Sequence, residues 1–301
     1  PEWRDLFSRD HMPIDVIISP EIEVAKAAIN RLEVPGASDM IRFANDRVRV
    51  VGVKLDENCP VVDTPLRQLT ELFPDLNIVV CGILRNGKLI VPGGNDQLLV
   101  GDNIYIAAAK SHVTRALTVF GHEEEEARKI VIVGGGNVGL FIAEQLIETN
   151  NKFQVKIIER DQKRAIAIAE KISKAVVLHG DALDMEILKE ANIQGTEAII
   201  SVTNDDKVNI LSALLAKQLG CKSAITLLND HSFGELTSSV GIEAFVDPRQ
   251  TTVSSILQHM RRGRISSLQS LAGGEAEVME AIAVESSPLV GKALRDVKLP
   301  A

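Results

Sequence analysis

The sequence predicts an α/β fold in which a doubly wound parallel sheet of the Rossmann type alternates with small α/β subdomains, in an internally duplicated arrangement. Three observations predict this fold. A glycine-rich turn joins an apolar strand to a helix at Gly134, strands and helices alternate without a break from about residue 129, and similar segments recur at one fixed offset. Alternation of this kind is typical of parallel sheets, because parallel neighbours need a crossover helix between them.

The fixed offset is seen in two pairs of segments. The segment that ends at Pro20 (PIDVIISP) resembles the one that ends at Pro248 (GIEAFVDP), and the segment that begins at Pro60 (PVV) resembles the one that begins at Pro288 (PLV). Both pairs are 228 residues apart. This indicates a duplicated unit, with chance similarity among short apolar strands as the alternative. If the offset is the repeat length, a full pair of units spans roughly 450 residues, and we expect the chain to be part of a longer protein.

Local signals predict the elements of the first 121 residues. Pro20 suits the first turn of a helix, expected over 20–32. Apolar patterning predicts four strands, at 48–53, 76–84, 89–91 and 104–108. Asn86-Gly87 is typical of a tight hairpin turn, Thr64-Pro65 begins a short helix, and Ser111 is expected to cap another helix. This part of the sequence contains no constellation of catalytic residue types.

The segment from 129 to 159 has the most specific signal. A run of β-branched residues at 130–133 enters the glycine-rich turn GGGNVG at 134–139, which opens a helical pattern. A second apolar run at 155–158 ends in Glu159, which lies 20 residues after the last glycine of the turn. Strand, glycine-rich turn, helix, second strand and terminal acid in this register predict a βαβ unit that binds a nucleotide.

Each part of this motif has a physical reason. Gly134 permits the sharp turn from strand to helix, Gly136 leaves space for a pyrophosphate, and Gly139 lets the helix approach the sheet closely. Free N–H groups at the first helical turn then face the anion. Glu159 is expected to accept hydrogen bonds from ribose hydroxyls and to repel a 2′-phosphate. The motif therefore favours NAD(H) or an adenine nucleotide over NADP, although Arg160 is adjacent.

The pattern after Glu159 predicts the rest of the sheet. Helices are expected at 162–173, 183–191, 205–219 and 233–240, and strands at 175–178, 198–202, 224–228 and 242–246. With 130–133 and 155–158, this gives six strands. Ligands of such sheets bind beyond the carboxyl ends of the strands. The predicted site therefore comprises residues that follow those ends: Gly134, Gly136, Asn137, Val138, Gly139, Glu159, Arg160, Gly180, Asp181, Ala182, Thr203 and Asn204.

Some of these residues have an equally ordinary structural interpretation. Asp181 either contacts the adenosine end of the ligand or caps the helix expected from residue 183. Asn204 either contacts ribose or phosphate or belongs to the cap of the next helix. Arg160 reaches either a phosphate or solvent.

The repeat and the strand–helix pattern divide the chain into five segments. In order, we expect a last strand, at 14–18, with the crossover helix of a truncated first nucleotide-binding domain (1–35), a first small α/β subdomain (36–121), an acidic linker (122–128), a second nucleotide-binding domain with its crossover helix (129–262), and the start of a truncated second small subdomain (263–301).

Composition excludes several classes of function. The 301 residues are 45% hydrophobic and 3% aromatic with a net charge of −8, which argues against a nucleic-acid partner. No apolar run reaches the roughly 18 residues that cross a bilayer, and the beginning of the chain lacks the layout of a signal peptide, so a cytoplasmic location is expected. Cys59, Cys81 and Cys221 have no metal-ligand spacing and are odd in number, so we expect neither a metal site nor a disulfide framework.

The motifs resemble those of a known family. A six-stranded unit with GGGNVG, IIER, HGDA and VTNDD, a proline-started helix and a small domain containing LLVGDNIYI is similar to the RCK domains, also called KTN domains, which regulate potassium channels and transporters. The resemblance covers essentially the whole chain. Two such units in one chain resemble the cytosolic subunits of potassium uptake systems.

The resemblance implies roles for particular residues. In RCK domains the glycine-rich turn and the acid after the second strand bind NAD(H), ATP or ADP, and the segment 180–182 and Asn204 match ligand-contacting positions. The helices at 20–32 and 248–262 resemble crossover helices through which RCK domains pair. Two apolar faces would then bury against a partner domain, with packing inside one domain as the alternative: Ile22, Ala25 and Ile29, and Val253, Ile256 and Met260.

The resemblance implies a regulatory function. Binding of NAD(H), or alternatively of ATP or ADP, would stabilise one arrangement of a homo-oligomeric ring. The ring would dock at the inner face of the cell membrane on a potassium-conducting subunit and bias its gate, with no reaction of the nucleotide. The alternatives are a nucleotide sensor for another class of transporter and an NAD-dependent oxidoreductase. Hydride transfer needs a substrate domain and a paired acid or base. His179 is the best candidate acid, and Tyr105, the only Tyr, has no Lys four residues later.

Overall fold

The computed structural model describes residues 17–123, 127–149, 152–230, 232–233, 237, 240, 242, 244–260, 265–271, 275–291, 293 and 296–297. A helix, α1 (Pro20–Glu33), precedes a small antiparallel subdomain. The elements of that subdomain are β1 (Ala37–Phe43), β2 (Val48–Lys54), α2 (Leu66–Leu72), β3 (Ile78–Arg85), β4 (Lys88–Ile90), β5 (Asn103–Ala109) and α3 (Val113–Val119). Its five strands lie in the order β1-β2-β5-β3-β4.

The second half of the chain forms a parallel sheet with crossover helices. Its elements are β6 (Lys129–Val133), α4 (Asn137–Thr149), β7 (Gln154–Glu159), α5 (Gln162–Lys171), β8 (Val176–His179), α6 (Met185–Glu190), β9 (Ala198–Ser201), α7 (Asp206–Gln218), β10 (Ser223–Leu227), β11 (Ala244–Val246) and α8 (Pro248–Met260). The strand order is β11-β10-β9-β6-β7-β8, the Rossmann order, in which the connections change direction between β6 and β9. The predicted fold class is confirmed.

The chain continues from α8 into a hairpin, β12 (Ile265–Leu271) and β13 (Ala276–Ala281), which reveals the duplication in three dimensions. The helices α1 and α8, the strands β1 and β12, and the strands β2 and β13 each begin 228 residues apart. An irregularity of register between Ala37 and Asp39 in β1 recurs between Ile265 and Ser267 in β12, again at that offset. A shared irregularity of register is specific enough to exclude chance similarity, so the predicted internal duplication is confirmed.

Helix α1 joins the two halves of the structure. Its buried residues Val24, Ala25, Ala28 and Leu32 belong to the same apolar cluster as Ile132 and Ile142 of the parallel sheet and α4. Of the face expected to pair, Ala25 is buried and Ile29 packs against this cluster. The apolar face expected on α8 is exposed rather than buried, since Val253 is 53% exposed and Ile256 is 38% exposed. Pairing through α8 therefore stays a prediction.

Two local features differ from the sequence predictions. Strand β1 was not expected, because its only buried side chains are Met40, Ile41 and Phe43 and it pairs with one neighbour. Ser111 does not cap α3, since a 3-10 turn at Lys110–His112 leads into the helix and its N-cap is His112. The strand expected at 14–18 and the helix expected at 233–240 lie largely outside the described residues, and 17–19 contain no strand. Among the described residues, no helix combines the length and apolar character that crossing a bilayer requires.

A buried ion pair holds the β3–β5 corner of the small subdomain. Asp102, only 2% exposed, accepts hydrogen bonds from Arg85 Nε and Nη2 at 2.8 and 2.7 Å and from the Leu99 N–H at 2.8 Å. Burial acts to raise the pKa of Asp102, but these hydrogen bonds and the charge of Arg85 outweigh it, so the pKa lies below its ordinary value. A depressed pKa stabilises the folded state above the unfolded-state pKa, and this contribution is lost as the pH falls through the folded-state value.

We therefore predict that Asp102→Asn lowers the free energy of unfolding by about 2 kcal/mol near pH 7, because it leaves Arg85 partly unpaired. The difference from wild type should shrink as the pH falls below about 4, the ordinary pKa of an aspartate, because the wild-type contribution is lost between that value and the lower folded-state pKa. Urea unfolding near pH 7 and at pH values below about 4 measures it. Asp75→Asn, at an exposed acid of the same subdomain, is the control, and a pH-independent difference would contradict the prediction.

Candidate functional site

A cavity of about 590 Å³ lies at the carboxyl ends of the parallel strands, where the strand connections change direction. Eleven of the twelve predicted site residues line it: Gly134, Gly136, Asn137, Val138, Glu159, Arg160, Gly180, Asp181, Ala182, Thr203 and Asn204. Gly139 does not line it. The remaining lining residues are not among those twelve: Glu21, Val133, Ile158, Arg164, Val202, Asp205 and Val208. Of these, only Asp205 follows a strand end in the predicted pattern. The volume is within the usual range for sites of small ligands.

Three of the four glycines of the turn have different roles. Gly134 has a φ of +99°, and a Cβ there would also lie 3.2 Å from the Thr203 nitrogen. At Gly136 a Cβ would meet nothing within 4 Å, because that position faces the cavity. At Gly139 a Cβ would lie 1.9 Å from the Gly134 carbonyl oxygen. Gly139 therefore serves the close approach of helix and turn, whereas Gly136 leaves space for a ligand.

Glu159 stabilises the glycine-rich turn and also lines the cavity. Its Oε2 accepts from the Gly135 N–H at 2.8 Å, and its Oε1 accepts from the Asp161 N–H at 2.8 Å. Each oxygen keeps a further acceptor position, since a carboxylate offers about four. Glu159 can therefore hold the glycine-rich turn and accept hydrogen bonds from two hydroxyl groups of a ligand.

Arg164 is a site residue that the sequence pattern does not indicate. It lies in the first turn of α5, and its Nε donates to the Gly135 carbonyl at 2.6 Å. The backbone of Gly135 is thus held at its N–H group by Glu159 and at its carbonyl group by Arg164. Arg164 also lines the cavity with Arg160, so two guanidinium groups are available to an anion. Its position within a helical pattern rather than at a strand end gave no signal in the sequence.

The segment after β8 forms a local turn at the cavity. Asp181 accepts from the Leu183 N–H at 2.9 Å, while the N-cap of α6 is Asp184. A Cβ at Gly180 would lie 2.4 Å from Ile187 Cδ1, so Ile187 leaves room only for glycine there. Asp181 thus has a structural role in the turn, and its contact with a ligand stays a prediction.

A buried amide organises the segment after β9. Asn209 is fully buried, and its Oδ1 accepts from the Thr203 N–H at 2.8 Å and from Thr203 Oγ1 at 2.7 Å. Its Nδ2 donates to the Thr203 and Leu227 carbonyls at 3.0 and 2.9 Å. Asp205 caps α7 by accepting from the Lys207 and Val208 N–H groups. Asn204, between Thr203 and Asp205, is exposed. The cap interpretation therefore applies to Asp205 rather than to Asn204.

Glu21 enters the cavity from a different part of the chain. It lies in the first turn of α1 and accepts from Ser19 Oγ at 2.9 Å. Backbone and Ser19 hydrogen bonds lower its pKa. The sequence pattern places this helix in the preceding unit, so it gives no indication that the first turn of α1 reaches this site. The site therefore depends on contact between two units of the chain.

Two family models match the chain. Residues 50–121 match the TrkA-C domain, and residues 130–248 match the TrkA-N domain. The first match covers most of the antiparallel subdomain, and the second covers most of the parallel sheet with the candidate site.

Curated relatives match over nearly the whole chain. A Trk system potassium uptake protein TrkA from Azorhizobium caulinodans is 51% identical over 299 residues, which is 99% of this chain and 65% of the relative. One from Halomonas elongata is 36% identical, with 99% and 65% covered. Trk system potassium uptake protein trkA homolog 1 from Methanosarcina mazei is 32% identical, with 100% and 73% covered. The chain thus spans less than two thirds of the first two relatives.

Solved structures share the fold. The GsuK RCK domain has a TM-score of 0.54 at 18% identity, covering 83% of this chain and 52% of that one. A GsuK channel bound to NAD has a TM-score of 0.52 at 18% identity, covering 79% of this chain and 42% of that one. At this identity the likeness concerns the RCK fold alone.

Proposed function

Because the chain belongs to the TrkA family of Trk system potassium uptake proteins, we propose that it is the nucleotide-sensing part of a regulatory subunit for potassium uptake. The observation that carries the proposal is the cavity at the switch point of the sheet, which combines a glycine-rich helix start, an acid and two arginines. The nucleotide acts as a signal and undergoes no reaction.

The ligand we propose is NAD(H), with ATP or ADP as the alternative. The N–H groups at the start of α4 and the positive end of its dipole suit a pyrophosphate, which Arg160 and Arg164 also favour. Glu159 suits the two hydroxyls of an adenosine ribose and disfavours a 2′-phosphate. Glu21 adds a further negative charge to a wall that also contains Glu159, Asp181 and Asp205, which favours a nucleotide of low charge such as NAD(H) over ATP.

An oxidoreductase is less consistent with the cavity. His179, which the sequence favoured as a catalytic acid, ends β8 but does not line the cavity. The titratable groups that do line it are carboxylates and guanidinium groups, and Glu159 and Asp181 are already engaged by backbone N–H groups. A signalling role requires none of these groups to transfer a proton.

We propose that nucleotide binding changes how RCK units pair and thereby biases a TrkH-like, potassium-conducting membrane subunit. The units would form a homo-oligomer through the crossover helices α1 and α8, on the cytoplasmic side of the membrane. Contact between α1 and both α4 and α8 supports this proposal, because the first turn of α1 also lines the nucleotide cavity. A ligand shifts such an equilibrium only if it binds the two arrangements with different affinity.

Calorimetric titration with NAD⁺, NADH, ATP and ADP tests the nucleotide site. We expect Glu159→Ala to weaken binding of the preferred nucleotide by about 1–3 kcal/mol, because hydrogen bonds to a charged acceptor are lost. Glu170→Ala, which removes an exposed acid of α5 outside the cavity, is the matched control and should bind like wild type. Equal affinity in Glu159→Ala would remove Glu159 from the site. Failure of all four nucleotides to bind wild type would contradict the proposed function.

A further inference from the structure

A second large cavity lies at the opposite, amino-terminal edge of the parallel sheet. Its volume is about 560 Å³. Its walls come from the end of α1, the antiparallel subdomain around Lys54, and the starts of β10 and β11 at Ser223 and Ala244. We call it the basal cavity. It shares no lining residue with the nucleotide cavity, so the proposed function does not use it.

Arg31, Lys54 and Lys222 are the cationic side chains of the basal cavity. Arg31 Nε is buried and has no hydrogen-bond partner in the described part of the chain. Burial lowers the pKa of Arg31, and the charge of Asp39 only opposes that shift. Lys54 and Lys222 line the same cavity, and neither forms an ion pair with another described residue. A buried donor without an acceptor is costly, because it loses its water without compensation.

Two acidic side chains of the basal cavity, by contrast, are engaged by nearby donors. Glu197 accepts from the Arg128 and Lys129 N–H groups at 2.6 and 2.9 Å, and these two hydrogen bonds are the main reason why its pKa is lowered. Asp56 accepts from the Asn58 N–H at 2.8 Å. A third acid of the wall, Glu123, is exposed, and the charge of Lys222 also lowers the pKa of Glu197. The cavity therefore combines one buried donor that lacks an acceptor, Arg31 Nε, with two acids that already accept hydrogen bonds from backbone N–H groups. An anion would complete this pattern.

Much of the rest of the wall is apolar, although Ser38, His122 and Ser223 also line it. Buried Leu32, Ala127 and Ile242 face the cavity together with Pro35 and Ala244. A site with an apolar wall and a few convergent polar groups suits a ligand with an apolar body and one charged head. We propose that the basal cavity binds a small organic anion, a carboxylate or phosphate monoester with an apolar body, whose head group is held by Arg31 with Lys54 and Lys222.

A pair of fluorescent probes tests this site without knowledge of the natural ligand. The anionic probe 8-anilino-1-naphthalenesulfonate has an apolar body and a charged head, and N-phenyl-1-naphthylamine is a closely similar molecule without the charge. We expect saturable binding of the anion to the protein and at least about tenfold weaker binding of the neutral compound, because the charge-assisted hydrogen bonds are missing. Phenyl phosphate or 3-phenylpropanoate should displace the anion, whereas 3-phenylpropanamide should not.

Charge-removing variants locate the probe. Arg31→Met should weaken binding of the anionic probe about tenfold or more, since it removes the buried donor. The double variant Lys54→Met/Lys222→Met changes two exposed side chains and keeps the proposal testable if Arg31→Met fails to fold. It should weaken binding of the anionic probe about threefold or more. Lys189→Met, on the exposed face of α6, is the matched control and should leave binding unchanged.

The proposal would be overturned by equal affinities for the charged and neutral probes, or by unchanged binding of the anion in the lysine double variant and a folded Arg31→Met protein. Nucleotide titration of the same variants separates the two proposals. Loss of probe binding with normal nucleotide affinity supports a separate basal site. Loss of both would show that the substitutions act through the fold, which contradicts a separate site.

Discussion

Gly139→Ala is expected to destabilise the nucleotide-binding sheet by about 3 kcal/mol or more and to abolish nucleotide binding, because overpacking against backbone is costly. The added Cβ would lie 1.9 Å from the Gly134 carbonyl oxygen. That oxygen belongs to the backbone of a turn with a positive φ, so it has little freedom to move away. Either α4 shifts off the sheet or the glycine-rich turn changes conformation, and both outcomes remove the pocket for a pyrophosphate.

Gly136→Ala is the matched control for this experiment. Its Cβ would meet nothing within 4 Å and would project at the cavity wall. We expect this variant to retain wild-type stability in urea unfolding and to lose nucleotide affinity in calorimetry. If Gly139→Ala unfolds at the same urea concentration as Gly136→Ala, the close packing of α4 on the turn is not a determinant of stability.

The part of the site that could be predicted from the sequence is the part read from strand ends. Gly134, Gly136 and Glu159 lie directly at the boundaries of β6 and β7, where a short motif and its spacing are informative. The six-stranded sheet could be predicted for a related reason, because its central strands β6, β9 and β10 are buried on both faces and form continuous apolar runs. Strand β1 lacks such a run, which explains why it was missed.

The missed site residues share a different property. Arg164 and Asn209 lie within helices and act on backbone groups of a turn or loop, so their roles depend on tertiary contacts. Glu21 comes from another unit of the repeat, and no local pattern relates it to residues more than 100 positions later. Periodicity places a residue on a face of its own element, whereas the contacts of that face are decided by packing.

Asn209→Leu is expected to lower the free energy of unfolding by about 3–5 kcal/mol, because an apolar side chain of similar size leaves several buried polar groups without partners. The groups concerned are the Thr203 N–H, hydroxyl and carbonyl and the Leu227 carbonyl. Thr203 would then lose the contact that fixes the backbone beside the cavity. We therefore expect weaker nucleotide binding even where the variant is folded.

Asn204→Leu separates this effect from a general loss of polarity in the same loop, since Asn204 is exposed. Its stability in urea should match that of wild type. Nucleotide affinity in this control reports whether Asn204 itself contacts the ligand, as the sequence predicts. Equal stability of Asn209→Leu and Asn204→Leu would contradict the role assigned to the buried amide. A fully buried side chain that satisfies four polar groups cannot be replaced by leucine without a loss of stability, unless water takes its place.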